Sequence, residues 1–171
     1  MSLLKTTFGL LNRVLPAETG HAHCDIPCGI YDPHAAQIAA LSTIRMNQLI
    51  EAMDKPNPDM SEADRTAAVA SLGRYVAEKD RSAELCKQEL RILWGDYFKP
   101  NHIEQYPDLH EKFAGAMRAA SSVRQSISLK ASEDLLSAVQ DIAEIFWKTK
   151  GARVSRQPSR QAVGGELVYP A

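Results

Sequence analysis

The residues best suited to chemistry lie in one short run, His23-Cys24-Asp25-Ile26-Pro27-Cys28-Gly29-Ile30-Tyr31. A histidine beside a cysteine, with a second cysteine four positions on, offers nitrogen and thiolate donors within a few residues. Donors of that kind suit soft and borderline ions. Three readings of Cys24 and Cys28 are open on the residues alone: a redox disulfide, part of a zinc site, or a nickel site. Zinc commonly takes four ligands from two separated pairs, and no second Cys/His pair with zinc-like spacing follows. Nickel(II) bound by strong nitrogen and sulfur donors favours a square plane. His23 and Cys24 fill three of its corners only if His23 is the first residue, with the α-amine free. The other two of those donors are the Cys24 backbone nitrogen and the Cys24 thiolate. Cys28 folds back as the fourth donor through the turn that Pro27 and Gly29 favour, and the His23 imidazole is left to approach axially.

A run of this kind needs a scaffold, and the remaining sequence reads as helices. Asp32-Pro33 opens the first, Asp32 accepting from an orphan N–H and Pro33 fitting the first helical position. It is predicted to run to about Met53, where Lys55-Pro56-Asn57-Pro58 stops it. Ser61-Glu62-Ala63-Asp64 resembles a capping box and opens a second helix to about Leu93 or Trp94, with Val69, Leu72, Val76, Ala83, Cys86 and Leu90 at helical spacing. Gly95 to Tyr106 reads as an aromatic and proline-containing connection. A third helix is expected from Pro107-Asp108 to about Val123. A fourth is expected from Ser132 to near Lys150, with the stripe Leu135, Val139, Ile142 and Phe146 and with Gly151 closing it. No strand alternation is visible. The fold class read from this pattern is all-α, an antiparallel up-down four-helix bundle carrying an N-terminal metal-binding hook. The expected divisions are a leader over 1–22, a hook over 23–33, the bundle over 34–151 and a mobile tail over 152–171.

Composition narrows the function classes. The chain has 171 residues, enough for one domain with a sizeable core. A formal net charge of −1 argues against a general nucleic-acid binder. No stretch approaches the length needed to span a membrane. The apolar residues of the leader are interrupted by Lys5, Thr6, Thr7, Asn12 and Arg13, whereas Leu4, Phe8, Leu11 and Leu15 keep helical spacing. The leader therefore reads as amphipathic rather than secretory. With three cysteines, one tight pair and one alone, the chain lacks a disulfide framework. Cys86, on the apolar side of the second helix, reads as a small buried hydrophobe. His34, His102 and His110 read as solvated or hydrogen-bonded side chains rather than ligands.

Three blocks carry a family resemblance. His23 to Pro33 resembles the N-terminal hook of nickel-containing superoxide dismutases. Leu93-Trp94-Gly95-Asp96-Tyr97-Phe98-Lys99-Pro100-Asn101-His102, continuing through Glu104, Tyr106-Pro107 and Leu109-His110, resembles that family's loop after its second helix. Ile145-Phe146-Trp147-Lys148-Thr149-Lys150 resembles its end. The three occur in order and span about His23 to Lys150. The resemblance implies an enzyme that disproportionates superoxide to dioxygen and hydrogen peroxide by Ni(III)/Ni(II) cycling. It implies one nickel ion per subunit, held by His23, Cys24 and Cys28. Tyr31 and Tyr97 would line the approach, Asp25 would help hold the hook, and Lys99 would add positive charge near the entrance. It further implies a homohexamer, a cytoplasmic location and a maturation peptidase that cuts before His23.

The resemblance also has gaps. The family's axial histidine is usually supported by a glutamate on the first helix and an arginine on the second, where this chain has Ala39 and Ser82, with Arg81 beside the latter. Those departures keep an alternative in view, a non-catalytic nickel carrier or sensor that retains the hook. Residues after Gly151 find no counterpart in the resemblance.

Overall fold

The computed structural model describes residues 28–171. The leader, His23, Cys24 and Asp25 lie outside the described residues. Among the described residues, five α-helices and one β-hairpin follow in order: α1 His34–Ala52, α2 Glu62–Ile92, α3 Pro100–Gln105, α4 Leu109–Gln125, α5 Leu129–Thr149, β1 Val154–Pro158 and β2 Glu166–Pro170. A five-residue π-helical turn, Leu93–Tyr97, continues α2. The four longer helices close on one another: α1 packs on α2 and α5, and α4 also packs on α2 and α5.

Each boundary has a local cause. The Asp32 carboxylate accepts the His34 N–H at 2.7 Å and starts α1. The chain turns extended at Met53, ahead of the proline pair. The Ser61 Oγ accepts the Asp64 N–H at 3.1 Å, while its hydroxyl donates to the Asp64 carboxylate at 2.7 Å. α5 begins three residues earlier than expected, because Ser128 caps it by accepting the Ala131 N–H at 3.2 Å. Ser132 is buried instead and accepts from Asn47 Nδ2 on α1 at 2.8 Å. Gly151 closes α5 with φ +72°, and its N–H reaches the Lys148 carbonyl at 3.0 Å. That backbone conformation favours glycine.

The core follows the expected stripes in α5, where Leu135, Val139, Ile142 and Phe146 are all buried. α2 follows them only in part. Ala83, Cys86 and Leu90 are buried, Leu72 and Val76 are half-buried, and Val69 is exposed. Length explains this, since α2 has 31 residues and α1 has 19. At helical rise these are about 46 Å and about 28 Å long, so α2 outruns its partner. Lys79 is buried at that transition and donates to the Val123 carbonyl and to Asp80 Oδ1. Val123 lies in the last turn of α4, where carbonyls lack helical partners, so Lys79 acts as a cap from a neighbouring helix.

The all-α reading and the reading of 152–171 as a tail are corrected by the hairpin. β1 and β2 pair antiparallel with Arg156 opposite Val168. Leu167 and Val168 are each 1% exposed, and Leu167 joins the main core. The signal was hidden because the strands are short and the buried pair is adjacent in sequence rather than alternating. Gly165, at φ +73°, brings the turn against α1 and α5. A Cβ there would meet Leu41 Cδ2 at 3.2 Å and Leu136 Cδ2 at 3.7 Å.

Candidate metal centre

Cys28 is exposed just ahead of α1. Gly29 follows at φ +72°. This left-handed backbone conformation favours glycine. Three residues on from Cys28, the half-buried Tyr31 ring lies 5.7 Å from Tyr97, tilted by 55°. Tyr97 comes from the π-helical turn, whose wider hydrogen-bond ring takes the Phe98 N–H back to the Leu93 carbonyl at 3.0 Å. Two segments far apart in sequence thus meet at one pair of tyrosines.

Tyr97 is the hub of this region. Its ring contacts Phe146 at 4.5 Å, Phe98 at 5.0 Å and His102 at 5.5 Å, the last stacked. Its hydroxyl lies 2.7 Å from Thr149 Oγ1. Thr149 already donates its own proton to the Phe146 carbonyl at 2.6 Å, so Tyr97 is the donor in that pair. The phenol proton is therefore committed to α5. His102 Nδ1 accepts the Lys99 N–H at 3.2 Å. That bond places the proton of a neutral ring on Nε2.

Lys99 is exposed and immediately precedes α3. The cation that lies over the Tyr97 ring is Lys150, with Nζ 5.1 Å from its centroid and 5.2 Å from that of Phe146. Sequence reading named Lys150 only as the end of the last helix and of the third resemblance block. The four-residue spacing from Phe146 was the signal that could have placed it here. Ala39 and Ser82 are both buried. Ser82 donates to Glu78 Oε1 at 3.3 Å, and Arg81 points to solvent and pairs with Glu78 at 3.0 Å. Neither position offers the carboxylate or guanidinium that the resemblance expected.

Among the described residues no group of three or more His, Cys, Asp and Glu side chains could hold an ion. Cys86 is not a candidate, since burial first, and then the Glu89 charge, push its thiol up to about 12. The donor chemistry fits a thiolate-bound ion: an accessible cysteine next to a left-handed glycine, with His23 and Cys24 a few residues upstream.

Fold and site together describe a mainly helical protein with an exposed cysteine, Cys28, three residues ahead of a tyrosine that meets Tyr97. Comparison narrows it. A family model for nickel-containing superoxide dismutase matches residues 18–150. A superoxide dismutase [Ni] of Streptomyces coelicolor is 35% identical over 144 residues, covering 84% of this chain and all of that protein. One from Streptomyces seoulensis is 37% identical over the same length and shares. Among solved structures, native nickel superoxide dismutase superposes with a TM-score of 0.65 at 34% identity, covering 75% of this chain and 99% of that one. A nickel-containing superoxide dismutase in its oxidised ligation state gives 0.66 at 36%, covering 76% and 100%. The chain belongs to the nickel-containing superoxide dismutase family.

Proposed function

We propose that this chain is a nickel superoxide dismutase whose site is completed when the residues before His23 are removed. The observation that carries the reading is the exposed Cys28, three residues ahead of the Tyr31 that meets Tyr97, in a chain that belongs to this family. Two superoxide ions and two protons yield one dioxygen and one hydrogen peroxide. The chemistry that bound nickel supplies is a one-electron couple, reduced by one superoxide and reoxidised by the next.

His23, Cys24 and Cys28 would hold the ion, and Asp25 would brace the hook. The protein's own task around it is to bind, orient and restrict. Tyr31 and Tyr97 would wall the approach. With its proton held by Thr149, Tyr97 serves as a fixed wall rather than a proton donor. Lys150 and Lys99 give the entrance positive charge, which raises the encounter rate of an anion. The longer helices form an antiparallel up-down four-helix bundle that sets hook and wall against each other. Assembly as a homohexamer, a maturation peptidase acting on 1–22 and a cytoplasmic setting complete the reading.

The uncut chain is inactive on this view, because His23 lacks a free α-amine while Ala22 precedes it. The test is to prepare chains starting at Met1 and at His23, load both with nickel, and follow superoxide decay. Activity above free nickel is expected only from the chain that starts at His23, and Cys28→Ser should abolish it. Equal activity from the uncut chain would refute the maturation step, and activity equal to free nickel from both would refute the function.

A further inference from the structure

The C-terminal hairpin lies beyond the matched residues 18–150, and its turn is held in one shape by hydrogen bonds. The Ser159 N–H donates to the Gly165 carbonyl at 2.9 Å, and the Gly164 N–H to the Gln161 carbonyl at 2.9 Å. The Ser159 hydroxyl donates to the Gly164 carbonyl at 2.5 Å, while its oxygen accepts the Gln161 N–H at 3.2 Å. From α1, Gln48 Nε2 donates to the Val163 carbonyl at 3.1 Å. A turn braced on itself and tied to a helix stands as a fixed wall, and a pocket beside it is formed before any ligand arrives.

Between that wall and α1 lies a cleft of about 310 Å³. Small-molecule sites begin at about this size, roughly 300 Å³. Ile38, Leu41 and Val163 give it an apolar lining, and Arg45 is the charged residue among the described ones that line it. Arg45 is half-buried. Its hydrogen bond to Gln48 Oε1 is long, at 3.4 Å, and among the described residues no carboxylate pairs with it. A guanidinium carries five N–H donors in a planar fork, so most of the donors of Arg45 are unused. Ser42, also in the lining, spends its proton on the Ile38 carbonyl at 3.0 Å. A neighbouring cleft shares Leu41 and Val163 but carries Glu133 in place of an arginine, so an anion is favoured in the first cleft and repelled in the second.

We propose that the cleft between α1 and the hairpin turn binds a small monocarboxylate with an apolar tail. Arg45 takes the carboxylate on two parallel N–H bonds, the geometry its fork matches. Ile38, Leu41 and Val163 hold the tail. Ile38, a large apolar side chain left 37% exposed, is covered when the ligand is bound. One cation matches one negative charge; a bare phosphate would leave charge uncompensated and the apolar lining unused. The described lining includes none of residues 28–33, so the site is distinct from the proposed hook.

The experiment titrates octanoate into the full chain from Met1 by calorimetry. Acetate supplies the anion without the tail, and octan-1-ol the tail without the anion. Arg45→Gln and Ile38→Asp are compared with the parent, with far-ultraviolet circular dichroism as the check on folding. Octanoate should bind the parent saturably at one site per chain. Losing a charge-assisted pair weakens binding by about tenfold or more, so Arg45→Gln with octanoate, and the parent with octan-1-ol, should both fall by that factor. Ile38→Asp sets a carboxylate on the cleft wall and should weaken octanoate by about tenfold as well. Acetate should bind the parent at least about tenfold more weakly, because it buries almost no apolar surface. Octanoate should also slow the modification of Arg45 by phenylglyoxal, read by peptide mass. No saturable binding, parental affinity in both variants, or unchanged modification of Arg45 would overturn the proposal. So would octan-1-ol binding as tightly as octanoate, which marks a slot indifferent to charge, or acetate doing so, which marks a bare anion site. If Arg45→Gln does not fold, Ile38→Asp at its partly exposed position decides alone.

Discussion

Replacing Tyr97 by phenylalanine removes one hydroxyl and leaves every ring contact in place. The lost interaction is the hydrogen bond from Tyr97 to Thr149 Oγ1 at 2.7 Å. Thr149 still donates to the Phe146 carbonyl, so no buried donor is orphaned. The cost is that of one neutral bond, about 1 kcal/mol. Tyr97→Ala removes the ring as well, and with it the contacts to Tyr31, Phe98, His102 and Phe146. Full truncation of a buried aromatic costs about 3–5 kcal/mol, and the half-exposed setting of Tyr97 lowers that to about 2–3 kcal/mol. Urea unfolding of the three proteins, at one protein concentration and with nickel removed, measures both differences. The expected order is parent, then Phe, then Ala, with the larger step between Phe and Ala. A Phe variant that loses more than about 3 kcal/mol would refute the reasoning, because one neutral bond cannot supply that much. So would an Ala variant no less stable than the Phe variant, since the aromatic cluster would then contribute nothing.

Other outcomes follow from the same contacts. In the folded protein at neutral pH, a thiol alkylating agent should modify Cys28 readily and leave Cys86 unmodified until denaturant is added, as read by peptide mass; early labelling of Cys86 would contradict its burial. Lys79→Met strips the Val123 carbonyl of its charged partner. The loss should cost about 2 kcal/mol in chemical denaturation, and a neutral result would show that the cap does not matter. Burial alone would raise the Glu144 carboxyl, but hydrogen bonds and charge from Arg156 and Lys148 outweigh it and hold it below the usual range. A lowered folded value means stabilisation present above the unfolded value near 4.5 and lost as pH falls through the folded one. The difference in thermal midpoint between the parent and Glu144→Gln should therefore shrink on acidification, and a difference that stays constant to about pH 3 would remove Glu144 as a tether of β1.

Much of the helical layout was legible because its signals are local. Asp32, Ser61 and Gly151 each act within four residues of where they stand, so their roles can be read along the chain. Ser128 and Ser132 were confused because both suit a helix start, and only the position of Asn47 on another helix decides between them. Lys79 was overlooked for a related reason: a lysine in an exposed-looking helix becomes buried only when a carbonyl of α4 lies across from it. At the site, Cys28, Tyr31 and Tyr97 were named from their blocks, and the structure sets the two tyrosine rings 5.7 Å apart. Lys150 was missed because its partner ring, Tyr97, comes from a distant part of the sequence. The hairpin escaped altogether, since Leu167 and Val168 are buried by helices α1 and α5 rather than by any pattern within 152–171.

Leu167 belongs to the main core although every helix precedes it in sequence. The contact that ties β2 to the start of α1 joins Gln37 to Val168 across a separation of 131 residues. Contacts of such long range are entropically the hardest to close, whereas α4 and α5 meet across a short turn. The start of α1 is therefore among the last parts of the fold to be locked, even though its own helix can form early.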